Sequence, residues 1–319
     1  MASATLTDHE VLTTACGLVD RSERGKLALT GDQAAELLNG QVTNDVAALE
    51  PGTGQYAAFL TPKGKMLGDL RILRTERELH LDCERASLQG LFDLLRRGAI
   101  GWQAELHKRT VQEALLSLVG PRARAVASLD DLPAEEHACL EGAVGGVAVL
   151  AAATDLGVDL FCTAGDAAAL KAALVEDGAV EVPEAAAEVV RVESGRPRYG
   201  VDVDDSTIPQ EAGLNARAVS FTKGCYVGQE TVARLHWRGK PNRHLRGLRL
   251  SGPGAASGDA LVTSEGREVG RLGSVVMSPR LGPIGLALVR REVAVGDSVR
   301  VGDSLAAEVV ELPFAGAAA

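Results

Sequence analysis

The pattern of hydrophobic and polar positions predicts a group of short strands in the first hundred residues. Residues 26–30 alternate as a strand does, and residues 56–60, 66–74 and 79–83 have the composition of strands. Residues 61–65 contain the proline and glycine of a tight turn. We therefore expect residues 56–60 and 66–74 to pair as a hairpin.

Apolar residues three and four positions apart predict helices elsewhere. The clearest case is residues 85–97, whose leucines share one face and whose last turn carries two arginines, where positive charge is favourable. Asp32 is expected to cap a helix that starts beside it. Further helices are predicted at residues 166–175 and 183–191.

The order of these elements predicts an α+β fold. Two or three strands followed by a helix form a unit that repeats near residues 147–175. From residue 243 onward, β-like runs alternate with glycine-containing turns at intervals of roughly 8–12 residues, the spacing of a small barrel or sandwich. Pro241 marks the expected hinge, so we divide the chain into a first module at 1–242 and a β-barrel domain at 243–319.

The charge of the chain limits what it can bind. A net charge of −10 and a pI of about 5.2 argue against broad binding to nucleic acid or to an anionic membrane, since both require basic surface. One basic segment runs from Arg234 to Arg249. It is either a solvated stretch that balances acidic neighbours or a rim that attracts an anion.

The five cysteines predict reduced thiols in a cytoplasmic protein. They are too far apart for a C-x-x-C pattern, which argues against a cysteine-ligated zinc site or a resident iron–sulfur cluster. Four of them read as small buried hydrophobic residues, namely Cys16, Cys83, Cys139 and Cys162. The start of the chain lacks the basic and apolar regions of a signal peptide, and no apolar run is long enough to span a membrane.

The fifth cysteine lies in the most informative segment, Lys-Gly-Cys-Tyr-Val-Gly-Gln-Glu at residues 223–230. Gly224 and Gly228 permit backbone angles that other residues resist, and a helix-like run follows. Cys225 would then lie near helix N–H groups and near Lys223, surroundings that favour a thiolate. We therefore predict a chemical role for Cys225 and Lys223, against the alternative that the cysteine is only a small residue in a turn.

This octapeptide resembles the signature of the YgfZ family of folate-binding proteins. That family is related in fold to the T-protein (aminomethyltransferase) of the glycine cleavage system and is implicated in the assembly or repair of iron–sulfur clusters. The resemblance extends in order from about residue 17 to residue 314. The other segments that carry it are residues 17–22, 38–46, 60–70, 191–202 and 312–314.

The resemblance implies a fold and a ligand. It implies two interleaved α/β subdomains around a central cavity, the inner one at about residues 50–115, followed by the β-barrel. It also implies tetrahydrofolate, or a one-carbon-substituted folate, as the bound molecule. By this resemblance Glu193 is the carboxylate that accepts from the adjacent N–H and amine of the pterin ring. An ordinary surface glutamate is the alternative.

Other candidate ligand residues follow from the same resemblance. Tyr199 can stack on the pterin, and Arg198 and Asp202 share the loop that follows Glu193, although all three can equally serve loop packing. Arg234, in the basic segment, is expected to contact the glutamate tail of the folate.

Asp69 does not decide from sequence alone whether the protein catalyses one-carbon transfer. The T-protein has an acid at the matching place, near the reactive nitrogen of the folate, but this chain has Gly68 where the T-protein pattern has a second acid. Asp69 is therefore either a catalytic acid or a residue at the edge of a strand.

Three functions are compatible with these residues. The preferred hypothesis is a tetrahydrofolate-binding protein that supports the assembly or repair of iron–sulfur client enzymes. The alternative is a folate-dependent aminomethyltransferase or methyltransferase, which Asp69 favours. The third is an interaction protein that has lost its folate.

Overall fold

A computed structural model describes residues 6–315 of the chain. The strands are β1 (Gly17–Asp20), β2 (Gly25–Thr30), β3 (Gly54–Leu60), β4 (Met66–Arg74), β5 (Leu79–Cys83), β6 (Glu105–Lys108), β7 (Glu113–Val119), β8 (Cys139–Val144), β9 (Val147–Thr154), β10 (Gly157–Thr163), β11 (Val180–Glu181), β12 (Arg243–Leu250), β13 (Ala260–Val262), β14 (Glu268–Ser278), β15 (Gly282–Arg290), β16 (Ser298–Val301) and β17 (Leu305–Val310). The helices are α1 (Asp8–Thr14), α2 (Ala34–Asn39), α3 (Arg85–Gly98), α4 (Ala123–Ala127), α5 (Ala167–Glu176), α6 (Glu184–Glu193), α7 (Asn215–Ala218) and α8 (Gln229–Arg238).

The chain forms two compact units, and each is assembled from several segments. Unit 1 contains Met1–Phe59, Gly68–Ala187 and Thr222–Val227. Unit 2 contains Leu60–Leu67, Glu188–Phe221 and Gly228–Ala319. The predicted division at residue 242 and the inner subdomain at about 50–115 stay predictions.

Unit 1 contains two sheets. One has six strands in the order β11-β1-β7-β10-β9-β8, antiparallel except for the parallel pair of β1 and β11. The other has five strands in the order β3-β4-β5-β2-β6. Leu73 of β4 packs against Leu115, Cys139 and Phe161 from the six-stranded sheet, so faces of the two sheets meet in a shared apolar cluster.

Most of the predicted elements of unit 1 are confirmed. Strands β2 to β5 and helices α3, α5 and α6 lie where the periodicity placed them. The prediction that Asp32 caps α2 is wrong. Gln33 occupies the cap position, and it makes no side-chain cap hydrogen bond. Strand β8 was not predicted, and it pairs with β9 along its whole length.

Unit 2 contains a closed antiparallel barrel with strand order β12-β15-β14-β13-β16-β17. Its interior is filled by leucine, valine and alanine, which suits a chain with few aromatic residues. The end of α6 packs against this barrel, since Val192 lies in one cluster with Leu245, Leu286 and Phe314. The predicted α+β class and the C-terminal barrel are confirmed.

The environment of the cysteines follows the sequence prediction. The four cysteines expected in the interior are buried, and Cys225 is exposed. None of the helices within residues 6–315 is long and apolar enough to cross a membrane. The first five residues, on which the signal-peptide prediction partly rests, lie outside the described residues.

Candidate functional site

Glu193 ends helix α6 and is buried, with 1% of its surface exposed. Ser278 Oγ donates to its Oε1 over 2.5 Å, and Arg280 Nη2 donates to its Oε2 over 3.2 Å. The backbone carbonyl of Glu193 accepts from the Phe314 N–H over 3.0 Å. The carboxylate is therefore held by Ser278 and Arg280, at the turn between β14 and β15, and no pattern in the sequence predicts these partners.

Asp202 lies in the long loop after α6, and its carboxylate accepts four hydrogen bonds. Its Oδ1 accepts from Ser274 N at 2.7 Å. Its Oδ2 accepts from Ser274 Oγ at 3.0 Å, Arg198 N at 2.8 Å and Arg191 Nη1 at 3.0 Å. These donors tie the loop to α6 and β14. The predicted contact of Asp202 with a folate therefore gains no support from this geometry.

The other residues predicted for the folate also lie in unit 2. The Arg198 guanidinium pairs with Glu188 over 3.1 Å, which joins it to the network of Asp202. Tyr199 forms an isolated bridge with Val203 inside the loop. Arg234 is exposed on α8. The ligand roles of Arg198, Tyr199 and Arg234 stay predictions.

Asp69 lies on β4 in unit 1 and is 3% exposed. Burial raises the pKa of its carboxyl to about 6, against the opposing effect of a hydrogen bond from Tyr56; Glu84 adds to the rise and Arg24 opposes it. Its Oδ2 has no hydrogen-bond partner among the residues that the structure describes. Because a group with this pKa holds and releases protons near neutral pH, Asp69 is suited to acid–base chemistry.

Lys223 is buried and points its ammonium at three backbone carbonyls of unit 1. Its Nζ donates to Asn39 O at 2.6 Å, Val42 O at 2.9 Å and Asn44 O at 2.8 Å. The ring of Tyr226 lies 5.2 Å from the same nitrogen. Burial lowers the pKa of Lys223 to about 8. Lys223 thus anchors its segment beyond the end of α2, and an effect on the Cys225 thiol stays a prediction.

The turn around Cys225 uses its two glycines differently. Gly228 has φ of +85°, and a Cβ there would lie 2.6 Å from the carbonyl oxygen of Thr61. Gly224 has open space around it and no positive φ. Helix α8 begins at Gln229, as the sequence predicts. Cys225 is exposed on this segment and therefore accessible to a reactant.

A cleft of about 890 Å³ lies in unit 2 and was not predicted from the sequence. Lys65, Glu211 and Arg243 are among the residues that line it. The Arg243 guanidinium donates to both carboxylate oxygens of Glu211, at 3.2 and 2.8 Å, and Lys65 donates to the carbonyl of Ser206 at 2.6 Å. Its volume lies in the range of small-molecule sites.

Within residues 6–315, no group of three or more His, Cys, Asp or Glu side chains is placed to hold a metal ion.

Two family models match this chain. The model of the GCVT N-terminal domain matches residues 1–223, and the model of the glycine cleavage T-protein C-terminal barrel domain matches residues 243–315. Together they account for most of the sequence.

Similar proteins and a solved structure agree with these matches. The aminomethyltransferase of Geobacillus kaustophilus is 32% identical over 96% of this chain and 89% of its own length. That of Streptomyces coelicolor is 32% identical over 96% of this chain and 88% of its own length. The crystal structure of the glycine cleavage system aminomethyltransferase T from Bartonella henselae superposes with a TM-score of 0.86 at 26% identity, covering 97% of this chain and 89% of that chain. The predicted T-protein-like fold is confirmed.

Proposed function

The chain belongs to the glycine cleavage T-protein (GcvT) family, and from this membership we propose that it binds a tetrahydrofolate through Glu193. The observation that carries the proposal is the buried carboxylate at the end of α6, which accepts a hydrogen bond from the buried Ser278 hydroxyl. A pterin ring presents an N–H and an amine side by side, and a fixed carboxylate accepts from both. Burial strengthens such hydrogen bonds because water does not compete for them.

We further propose that the bound folate takes part in the transfer of a one-carbon group, as the name aminomethyltransferase of the relatives suggests. Asp69 supports this reaction. Transfer of an aminomethyl or methyl group requires protons to move on and off nitrogen, and a buried carboxyl with a pKa of about 6 exchanges protons near neutral pH.

A second candidate function is support of iron–sulfur enzymes, to which the resemblance of residues 223–230 to the YgfZ signature points. The observation that favours it is that Cys225 is exposed while Cys16, Cys83, Cys139 and Cys162 are buried. In this function the folate site is the same, and the Cys225 thiol carries out a sulfur-linked or redox-linked step in a client enzyme.

Calorimetric titration of 5-formyltetrahydrofolate into the protein tests the shared part of both functions. We expect saturable binding that weakens by about 10- to 100-fold in Glu193→Gln, since charge-assisted hydrogen bonds to a buried carboxylate are lost. Glu311→Gln changes an exposed glutamate of the same unit and should leave the affinity unchanged. Absence of binding to the unchanged protein would favour an interaction protein that keeps the fold without the ligand.

Two further variants separate the candidate functions. Asp69→Asn should lower the rate of tetrahydrofolate-dependent aminomethyl or methyl transfer by about 100-fold or more while it keeps folate affinity. Cys225→Ala should leave that rate unchanged and should abolish the activity of iron–sulfur enzymes in cells that depend on this protein. Absence of any transfer turnover, together with a cellular defect of Cys225→Ala, would reject transfer in favour of the second candidate.

A further inference from the structure

We propose that Arg280 is a latch on the folate site: its guanidinium occupies the Glu193 carboxylate in the free protein and must leave before a pterin can bind. This inference rests on the proposed function of Glu193. It gives Arg280 a role in setting the affinity for the ligand, and Arg280 lies outside the sequence motifs.

The contacts of Arg280 define the latch. Its Nη2 lies 3.2 Å from Glu193 Oε2, while Ser278 Oγ takes the other oxygen. The side chain of Arg280 is 40% exposed, whereas that of Glu193 is 1% exposed. Arg280 is therefore the solvent-accessible member of the pair, and in the proposal its guanidinium moves away from the carboxylate into solvent.

The chemistry of the two donors makes them competitors. A guanidinium presents two parallel N–H groups in a plane, and a carboxylate accepts them as a pair. The edge of a pterin offers the same arrangement, an N–H beside an amine. Arg280 Nη2 already donates to Oε2, so a ligand that uses both Glu193 oxygens as a pair competes with Arg280 for Oε2.

The turn that carries Arg280 holds it close to Glu193. The backbone N–H groups of Arg280 and Leu281 donate to Ser278 Oγ, at 3.2 and 3.0 Å, and the same hydroxyl donates to Glu193. Ser278 is buried and fixed, so the part of the latch that moves is the side chain of Arg280. Movement of the latch thus needs no change of the barrel.

The latch lowers the apparent affinity, because only the fraction of molecules with a free carboxylate binds ligand. An ion pair with one partly exposed member is modest in strength, so we expect removal of Arg280 to tighten folate binding by about three- to ten-fold. Arg280 has a second effect in the free protein, since it neutralises a buried carboxylate that would otherwise be costly.

The test is calorimetric titration of 5-formyltetrahydrofolate into the full chain and into Arg280→Met, which keeps the apolar stem and removes the donors. Arg267→Met is the matched control. It removes the same charge from unit 2, where Arg267 pairs with Glu292 at 2.7 Å on the exposed surface. It therefore reports how much the loss of one positive charge changes the affinity for an anionic ligand.

We expect Arg280→Met to bind about three- to ten-fold more tightly than the unchanged protein, with Arg267→Met unchanged or slightly weaker. When Glu193→Gln is already present, Arg280→Met should no longer tighten folate binding, because Arg280 then has no carboxylate to occupy. Thermal unfolding of the free variants checks that each is folded, and the ligand should raise the melting temperature more in Arg280→Met.

Unchanged or weaker binding in Arg280→Met, with normal binding by the unchanged protein, would overturn the latch and leave the folate function standing. Weaker binding would mean that Arg280 contacts the ligand favourably. Failure of both proteins to bind would reject the folate function and the latch together, whereas binding by Arg280→Met alone would support a latch stronger than we expect.

Discussion

Three buried charged side chains, Glu193, Asp69 and Lys223, are satisfied to different degrees. Lys223 donates to three carbonyls, and both Glu193 oxygens accept hydrogen bonds from side chains. Asp69 keeps one oxygen without a partner in the described part of the chain. Since an incompletely satisfied buried carboxylate disfavours its charge, the pKa of Asp69 is raised to about 6, which gives this residue an acid–base property near neutral pH.

Asp69→Asn should stabilise the protein at neutral pH. Burial raises the pKa of Asp69 from 3.8 to about 6, so the native state favours the protonated form. The stability from this group is complete below pH 3.8 and is lost as the pH rises through 6. At pH 7.5 the uncharged asparagine should therefore raise the free energy of unfolding by roughly 2–3 kcal/mol, measured by urea denaturation.

The difference between Asp69→Asn and the unchanged protein should shrink as the pH falls toward 4. Asp303→Asn, at an exposed aspartate, controls for the loss of one negative charge. A stability difference that does not vary with pH would contradict the burial effect on Asp69.

Lys223→Met should destabilise the protein, because the carbonyls of Asn39, Val42 and Asn44 lose their common donor. Unsatisfied buried acceptors are costly, so we expect a loss of about 2–4 kcal/mol in the free energy of unfolding. Lys240→Met, at an exposed lysine, should have no measurable effect. Equal stability of both variants would show that water replaces the ammonium at the three carbonyls.

The role of a residue was predictable from the sequence where it depends on the residue type and its sequence neighbours. It was not predictable where it depends on hydrogen-bond partners far along the chain. The burial of four cysteines was predictable because a free cysteine generally behaves as a small hydrophobic residue. The partners of Glu193 lie 85 and 87 residues away, on a turn with no distinguishing pattern. Lys223 looks like a neighbour of Cys225, but its hydrogen bonds go to carbonyls more than 170 residues earlier in the chain.

At the scale of elements, hydrogen bonds of Asp202 hold the long loop after α6 in place. The loop has no regular secondary structure over most of its length, yet Asp202 connects it to Arg191 on α6 and to Ser274 on β14. This network gives an irregular segment a fixed conformation beside the barrel. A loop of this kind can then present side chains to a ligand in one arrangement.

Asp202→Asn should weaken the fold more than the ligand site. The aspartate side chain is fully buried, and removal of its charge leaves Arg191 paired with Glu188 but not with Asp202, so we expect a loss of about 3 kcal/mol in the free energy of unfolding. Calorimetry on the folded variant should show folate affinity within about twofold of normal. Strong loss of affinity at unchanged stability would instead assign Asp202 to the ligand.

Gly228→Ala should be costly and Gly224→Ala should not. Residue 228 has a left-handed backbone conformation, which residues with a Cβ rarely adopt. An added Cβ would also lie 2.6 Å from the carbonyl oxygen of Thr61. We expect a loss of about 1–3 kcal/mol from this substitution, and a change within about 0.5 kcal/mol at residue 224, where the added methyl meets nothing. Denaturant titration of both variants checks the difference.

Elements with strong periodicity were predictable, and weakly patterned ones were not. Helix α3 was located because its leucines recur on one face, and β2 because its residues alternate. Strand β8 escaped prediction because its sequence, Cys-Leu-Glu-Gly-Ala-Val, has little hydrophobic contrast. Its strand conformation comes from pairing with β9, which only the folded sheet provides.

At the scale of the whole molecule, the T-protein-like architecture was predictable from ordered motifs, whereas its division into compact units was not. Both units draw on three separate segments of the chain. Hydrophobic patterning is local and cannot show that residues 60–67 and 188–221 join the barrel in one compact unit.

A protein that ends at residue 242 should lose folate binding. In unit 2, Val192 packs with Leu245, Leu286 and Phe314, and the Glu193 carboxylate depends on residues of the barrel. Without the barrel these groups are exposed to water, so we expect a partly unfolded product with no binding in calorimetry. Normal affinity of residues 1–242 would contradict the dependence of Glu193 on the barrel.

The sequence separation between Glu193 and Ser278 also determines when the proposed folate site can form during protein synthesis. The ribosome adds Ser278 85 residues after Glu193, a delay of roughly 4–17 s at the usual elongation rates. Throughout that interval Glu193 has been synthesised, but its carboxylate lacks the Ser278 hydroxyl. A nascent chain therefore carries every residue of its folate motif long before it can hold a folate, and competence arises only as synthesis nears its end.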